Sequence, residues 1–262
     1  LLFLLTFSFQ ASAWINKVII DQEDRVVANV KKFPFSAIGK VRIAKNGKKF
    51  VCTGFLVAPK IVLTNAHCLM SEENSVGPTK VSFYPGYKRG SRVPNGKFLV
   101  NKVIISDKYI SKVKGVDFAF LVLSRSAGNT FGWFGLTPFS RISTSLKNDL
   151  YVSGYGSNFI ETPFKTHFQT VNQTPCKVIK KLRNNKALLH TCDTGQGNSG
   201  APLFYLKNNK AYAVGINYGG IGPRNDERME SCEINNKDTC GNFATRSEEM
   251  IHQLNELRKI YN

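Results

Sequence analysis

The sequence predicts an all-β protein, a barrel or a sandwich, on three observations. Its apolar runs are short and rich in β-branched and aromatic residues: Lys97-Phe98-Leu99-Val100, Val103-Ile104-Ile105, Phe118 to Leu123, Leu150-Tyr151-Val152 and Ala211-Tyr212-Ala213-Val214. Runs of this length suit strands, whereas a buried helix needs about ten residues or more. Gly, Asn, Pro and Ser separate them, as turns require. The chain has 262 residues, 42% of them hydrophobic, without a fixed-period repeat, low-complexity tract or long linker. That is enough for one large domain or two small barrels.

Taken in order, residues 1–13 read as a signal peptide truncated at its start. Leu1 to Phe9 is apolar but too short to span a bilayer, and Ala11-Ser12-Ala13 matches a signal-peptidase site. Export to the periplasm or the medium follows. Residues 14–17 form a short propeptide ending in Lys17, so cleavage of Lys17–Val18 suggests a zymogen. Cys52 to Leu56 and Ile61-Val62-Leu63 read as two antiparallel strands. The seam between halves falls at Ser140 to Lys147, dividing the chain into residues 18–144 and 145–262. From Thr245 onward, Met250, Ile251, Leu254, Leu257 and Ile260 recur at helical spacing, and Glu248, Glu249 and Arg258 suit the helix dipole. This predicts an amphipathic C-terminal helix packed on the body.

The chemistry concentrates in Asp193-Thr194-Gly195-Gln196-Gly197-Asn198-Ser199-Gly200-Ala201-Pro202. A serine between glycines can sit on a tight turn with its hydroxyl exposed, and the N–H groups of Gly197 and Ser199 can form an oxyanion hole. Serine alone is a poor nucleophile and needs a base. Of four histidines, only His67, in Thr64-Asn65-Ala66-His67-Cys68, follows a strand and adjoins a cysteine. His167, His190 and His252 lie in unremarkable surroundings. Asp117 stands at the entrance to the apolar strand Phe118 to Leu123, where an unpaired charge would be costly and an imidazole N–H is a suitable donor. The competing acid, Asp107 in Ser106-Asp107-Lys108-Tyr109, sits among polar neighbours that suggest a solvated turn.

Six cysteines in an exported chain suggest three bridges, although sequence alone permits many pairings. Cys52–Cys68 would pin the turn of His67 to the neighbouring strand. Cys176–Cys192 would brace the strand leading into the nucleophile loop, and Cys232–Cys240 would close a polar loop. Neither a Cys-x-x-Cys pair nor a His-x-x-x-His spacing occurs, so no metal site and no cofactor are expected. The formal charge of +18 and the pI near 9.7 will attract polyanions. The basic residues fall in clusters, Lys31-Lys32, Lys48-Lys49, Lys88-Arg89, Lys108 with Lys112 and Lys114, and Lys177 with Lys180-Lys181 and Arg183. No nucleic-acid-binding motif accompanies them. A basic scaffold that binds anionic polymers with little or no catalysis is therefore the alternative class of function. The expected partners are protein or peptide substrates of a monomer that has no membrane span.

Four motifs in chain order, Cys52-x-Gly-x-Leu, Thr64 to Cys68, Asp117 to Leu123 and Gly197 to Pro202, resemble the chymotrypsin-like serine peptidases, and the match spans most of the chain. The resemblance implies two six-stranded antiparallel β-barrels of chymotrypsin type, with His67 and Asp117 on the first and Ser199 on the second. It implies acyl transfer in which Ser199 attacks a peptide carbonyl, His67 relays the proton and Asp117 orients the imidazole. A finer resemblance is to the bacterial glutamyl endopeptidases, through Val18-Ile19-Ile20-Asp21-Gln22-Glu23-Asp24-Arg25-Val26, Asp193-Thr194, Asn198 and Val214 to Gly220. It implies substrate binding by Asp193, Thr194, Asn217, Tyr218 and Gly219. Two specificities stay open. Asp193, six residues before Ser199, occupies the trypsin-like position that pairs with Lys or Arg. In the glutamyl branch the Thr194 hydroxyl would contact a substrate acid, but Asn217 stands where that branch has histidine and supplies no positive charge. Asn198 likewise replaces the acid that holds the new N-terminus in trypsin-like zymogens.

Overall fold

The computed structural model describes residues 19–20, 23–45, 47–70, 80–88, 96–156, 168–221 and 241–261. The expected signal peptide, propeptide and Lys17–Val18 bond, together with His167, Cys232 and Cys240, lie outside them. The first half carries β1 (Arg25–Val27), β2 (Ile38–Lys45), β3 (Lys48–Ala58), β4 (Ile61–Thr64), β5 (Lys80–Pro85), β6 (Phe98–Ile105) and β7 (Ala119–Leu123). All but β1 close into a six-stranded barrel in the order β2-β3-β4-β7-β6-β5, with antiparallel pairs throughout. β4 and β7 are buried along their whole length, which is why they read as unbroken apolar runs rather than alternating ones. The two runs 97–100 and 103–105 belong to the single strand β6. The exposed polar pair Asn101-Lys102 between them lies where the register against β7 shifts.

The rest of the chain contributes β8 (Gly135–Leu136), β9 (Tyr151–Gly154), β10 (Thr170–Asn172), β11 (Val178–Leu182), β12 (Ala187–His190), β13 (Pro202–Lys207), β14 (Lys210–Ile221) and β15 (Gly241–Arg246). Where two six-stranded barrels were expected, these strands and β1 form a nine-stranded sheet with the path β1-β10-β9-β13-β14-β15-β12-β11 and β8 off it against β14. Two of the nine join from residues before the expected seam, leaving seven. β1 crosses from the N-terminal part of the chain to pair with β10, and β8 lies parallel against β14.

Phe55 on β3, Phe134, and Phe204 on β13 meet edge-on at 5.2 and 5.4 Å and join the barrel to the sheet. All three are buried, in one core that also takes in Ile216, Met250 and Leu254. A second cluster around Leu150, Val152, Leu188, Leu203 and Val214 lies within the sheet. The C-terminal helix is present but starts later than its periodicity suggests. Thr245 belongs to β15, a 3₁₀ turn covers Ser247–Glu249, and the helix proper runs Ile251–Tyr261. Met250, Leu254 and Leu257 are buried, whereas Ile260 is exposed. Arg258 ties the helix to the barrel by donating to the Val57 carbonyl at 2.6 Å. No helix among the described residues is long and apolar enough to cross a membrane.

Candidate active site

His67 follows β4 at the mouth of the barrel. A disulfide joins Cys68, the next residue, to Cys52 on β3, with Cα atoms 6.4 Å apart. The imidazole is therefore anchored by two adjacent strands. Its Nδ1 lies 2.5 Å from Oδ2 of Asp117, while Oδ1 of the same carboxylate accepts the backbone N–H groups of Ala66 at 2.8 Å and His67 at 3.1 Å. A carboxylate only accepts, so Nδ1 carries the proton and Nε2 presents a lone pair. Burial alone would lower the imidazole pKa, but the charge and hydrogen bond of Asp117 outweigh it and raise the pKa above its ordinary value.

Asp117 is itself held from the second half of the molecule. Its N–H donates to Thr245 Oγ1 at 3.0 Å, and that hydroxyl donates to the Gly115 carbonyl at 3.0 Å. Asn65 Nδ2 takes the Asp117 carbonyl at 2.7 Å. Asp107, the competing acid, opens a short exposed helix, Asp107–Ile110, and takes no part.

The loop that carries Ser199 reaches the same place through Thr53, the residue after Cys52. The Thr53 N–H donates to the Ser199 carbonyl, and its hydroxyl donates to the Gly197 carbonyl, both at 2.8 Å. Gly200 permits this contact. Its φ is +88°, and a Cβ there would stand 2.0 Å from the Thr53 carbonyl oxygen. The carbonyls of Gly197, Asn198 and Ser199 are all engaged, yet among the described residues the N–H groups of Gly197 and Ser199 have no acceptor. Ser199 is half-buried, and its Oγ makes no hydrogen bond to His67 in this state.

Residues 26–234 match the Trypsin family over most of the chain. The chain belongs to the trypsin family. It is 26% identical to a glutamyl endopeptidase of Bacillus licheniformis over 76% of its own length and 58% of that protein's. It is 28% identical to a Bacillus subtilis protein named extracellular metalloprotease, over 71% and 57% of the two lengths. It thus spans somewhat under three fifths of each of these Bacillus relatives. Among solved structures, a Glu endopeptidase in complex with MPD superposes with a TM-score of 0.70 at 24% identity, covering 92% of this chain and all of that one. One relative's name raises metal chemistry, and one group among the described residues has metal-ligand atoms close enough to test, Cys52, His67 and Cys68, within 4.8 Å. These residues do not fit a metal, because the two sulfurs are bonded to each other and offer no thiolate.

In this trypsin-family chain the residues expected to contact substrate are placed unequally. Asp193 is buried, and both its oxygens face the N-terminal segment: Oδ1 accepts Ile20 N–H at 2.7 Å and Oδ2 accepts Asp24 N–H at 3.3 Å. Burial pushes its carboxyl up to about 7, against the lowering effect of these two donors. Thr194 donates its hydroxyl to Asn242 Oδ1 at 2.6 Å. Asn217 is buried, and its Nδ2 donates to the Asn198 carbonyl at 3.3 Å while its Oδ1 has no hydrogen-bond partner among the described residues. Tyr218 stacks on Phe243 with centroids 5.9 Å apart, and Gly219 faces open space. A disulfide joins Cys176 to Cys192, next to Asp193.

His190 is fully buried beside the Asn217 amide, with neither ring nitrogen in hydrogen-bond geometry. Burial pushes its pKa down to about 3, the Asn217 contact opposing. His252 is exposed on the C-terminal helix. The supporting roles of Thr53, Thr245, Asn242 and His190 carry no sequence signal, since each depends on which strand lies beside which.

Proposed function

We propose that this chain is a serine endopeptidase that hydrolyses peptide bonds through an acyl-enzyme on Ser199. The observation that carries the reading is the His67–Asp117 pair, which holds the imidazole at Nδ1 and leaves Nε2 as the acceptor, with Cys68 Sγ 3.7 Å from it. In the first step Ser199 Oγ attacks the carbonyl carbon, His67 Nε2 takes the hydroxyl proton, and the amides of Gly197 and Ser199 receive the negative oxygen. Return of that proton to the leaving amine breaks the C–N bond. Water then repeats the sequence and releases the acid. Apo serine and histidine side chains often sit beyond bonding reach and close only around substrate.

The peptide has a place to lie. β13 pairs with β14 only as far as Ile216, and β15 occupies the opposite edge, so among the described residues the edge from Tyr218 to Gly220 has no strand beside it and can take an added one. For the residue before the scissile bond we favour an acidic side chain. The Asp193 carboxylate is committed to Ile20 and Asp24, which removes the anion that Lys or Arg would need. The similar Bacillus licheniformis protein is named for glutamyl cleavage, and a charge of +18 draws acidic peptides. Two disulfides fit an exported enzyme working in an oxidising compartment. A diverse peptide pool cut by the purified protein is expected to show Glu or Asp before most new termini. Dominant cleavage after Lys, Arg or large apolar residues would overturn the specificity. An absence of cleavage that Ser199→Ala also shows, with salt-sensitive heparin binding intact, would favour the polyanion-binding scaffold.

A further inference from the structure

Two exposed aromatic residues fall outside everything the peptidase reading uses. Phe33 is 38% exposed and Trp133 45%, although aromatic rings are largely covered in most folded proteins. A single exposed apolar side chain needs no explanation, but these two stand on touching stretches of backbone. Gly132, with a φ of +77°, ends the short helix Gly128–Phe131 and lies directly under Phe33, whose ring a Cβ at Gly132 would meet at 2.6 Å. Trp133 is the next residue, and its indole lies over Gly128, where a Cβ would stand 2.9 Å from Cε3.

The pair is held as a ridge. Phe33 also packs against buried Phe134 with ring centroids 6.0 Å apart, and Ser36 donates its hydroxyl to the Phe131 carbonyl at 2.9 Å. Ala127 and Gly128 donate their N–H groups to the Pro59 carbonyl at 2.9 and 3.0 Å, which fixes the short helix on the turn between β3 and β4. His67 follows the other end of β4, so no residue of the candidate active site belongs to the ridge.

The charge around the ridge has one sign. Lys31 and Lys32 are exposed in the turn that leads into Phe33, where the Lys32 N–H donates to the Asn29 carbonyl at 3.0 Å. The stretches 25–70 and 118–148, which carry the ridge and its supports, contain neither Asp nor Glu. An apolar tip flanked by cations matches an anionic bilayer surface. Rings enter the boundary between headgroups and acyl chains, while ammonium groups stay at headgroup level. A second copy of the chain fits worse, because a two-fold contact would bring Lys31 and Lys32 against themselves with no carboxylate to meet them.

We infer that the ridge of Phe33 and Trp133, with Lys31 and Lys32, docks this protein on membranes rich in anionic phospholipid. The inference goes beyond the peptidase reading and does not depend on it.

The test is flotation of the full chain with vesicles of phosphatidylglycerol and phosphatidylcholine in equal parts, against vesicles of phosphatidylcholine alone. Binding should be strong to the first and weak to the second. Trp133→Ser should weaken binding to the anionic vesicles roughly tenfold, and Lys31→Gln with Lys32→Gln roughly thirtyfold, each with an unchanged denaturation midpoint. The chain has two tryptophans, so a Trp14→Phe background isolates Trp133, whose fluorescence brominated acyl chains should then quench. No binding, or equal binding to both vesicles, would overturn the inference. Undiminished binding by Trp133→Ser would overturn it too, since charge elsewhere on the +18 chain would then suffice. Dimerisation that Trp133→Ser abolishes, without vesicle binding, would give the ridge to a second copy instead.

Discussion

Thr53 holds Ser199 in place by donating its backbone N–H to the serine carbonyl at 2.8 Å, and its hydroxyl joins the Gly197 carbonyl to the N–H of Tyr155. Cys52 and the disulfide to Cys68 connect this residue to the histidine turn. Thr53→Val keeps the shape of the side chain and removes the hydroxyl. Turnover should fall roughly tenfold to a hundredfold, with the chain still folded by circular dichroism. Wild-type turnover would show that the loop needs no such support.

Asp117 fixes which imidazole nitrogen carries the proton. Asp117→Asn can donate to Nδ1 and so favours the wrong tautomer, and turnover should drop by about four orders of magnitude, the scale known for the equivalent change in another enzyme. Steady-state kinetics on a cleaved peptide would measure it, and near-normal activity would contradict the role given to Asp117.

The Cys52–Cys68 bridge closes a loop of sequence separation 16. Replacing both cysteines by serine should lower unfolding free energy by about 3 kcal/mol on the loop-entropy model. Because the bridge also places His67, turnover in the folded variant should fall as well. A lower denaturation midpoint with unchanged turnover would separate stability from positioning.

Acid should act on two histidines in different ways. Catalysis needs neutral His67, whose pKa is raised, so turnover should fall as pH drops through a value above 6.5. His190 is held near 3 in the fold against 6.5 when free, so its contribution to stability is complete above 6.5 and is lost as pH falls from 6.5 toward 3. Asp193 works in the opposite sense. With its pKa pushed from 3.8 to about 7, it makes the fold less stable as pH rises between those values. Comparing wild type with His190→Gln by denaturant unfolding at pH 7 and pH 4 isolates the histidine. The wild type should lose more stability than the variant, and equal losses would contradict a neutral buried imidazole.

The candidate site leaves local marks in the sequence. Gly197 and Gly200 lie on either side of Ser199, Cys68 follows His67, and Asp117 heads an apolar strand; each mark falls within a few residues. The partners of Asp193 were not readable, since nothing local shows that a carboxylate six residues before Ser199 meets Ile20 and Asp24. His190 looked unremarkable because its burial depends on β15 and β14 lying alongside β12 and one another. The fold class followed from run length and residue type. The entry of β1 into the second sheet did not, because three residues pairing with a strand at 170–172 have no signature of their own. The helix start was misplaced for a similar reason. Thr245 opens the segment with helical spacing but is itself held in β15, where it supports Asp117.

His67 and Asp117 are expected to make one serine reactive. Mass spectrometry of the phosphonate-treated chain measures that reactivity at the residue itself. One label per molecule, on the peptide containing Ser199, lost in Ser199→Ala and strongly slowed in His67→Ala, is the expected result. Labelling elsewhere, or at the same rate without the imidazole, would contradict it.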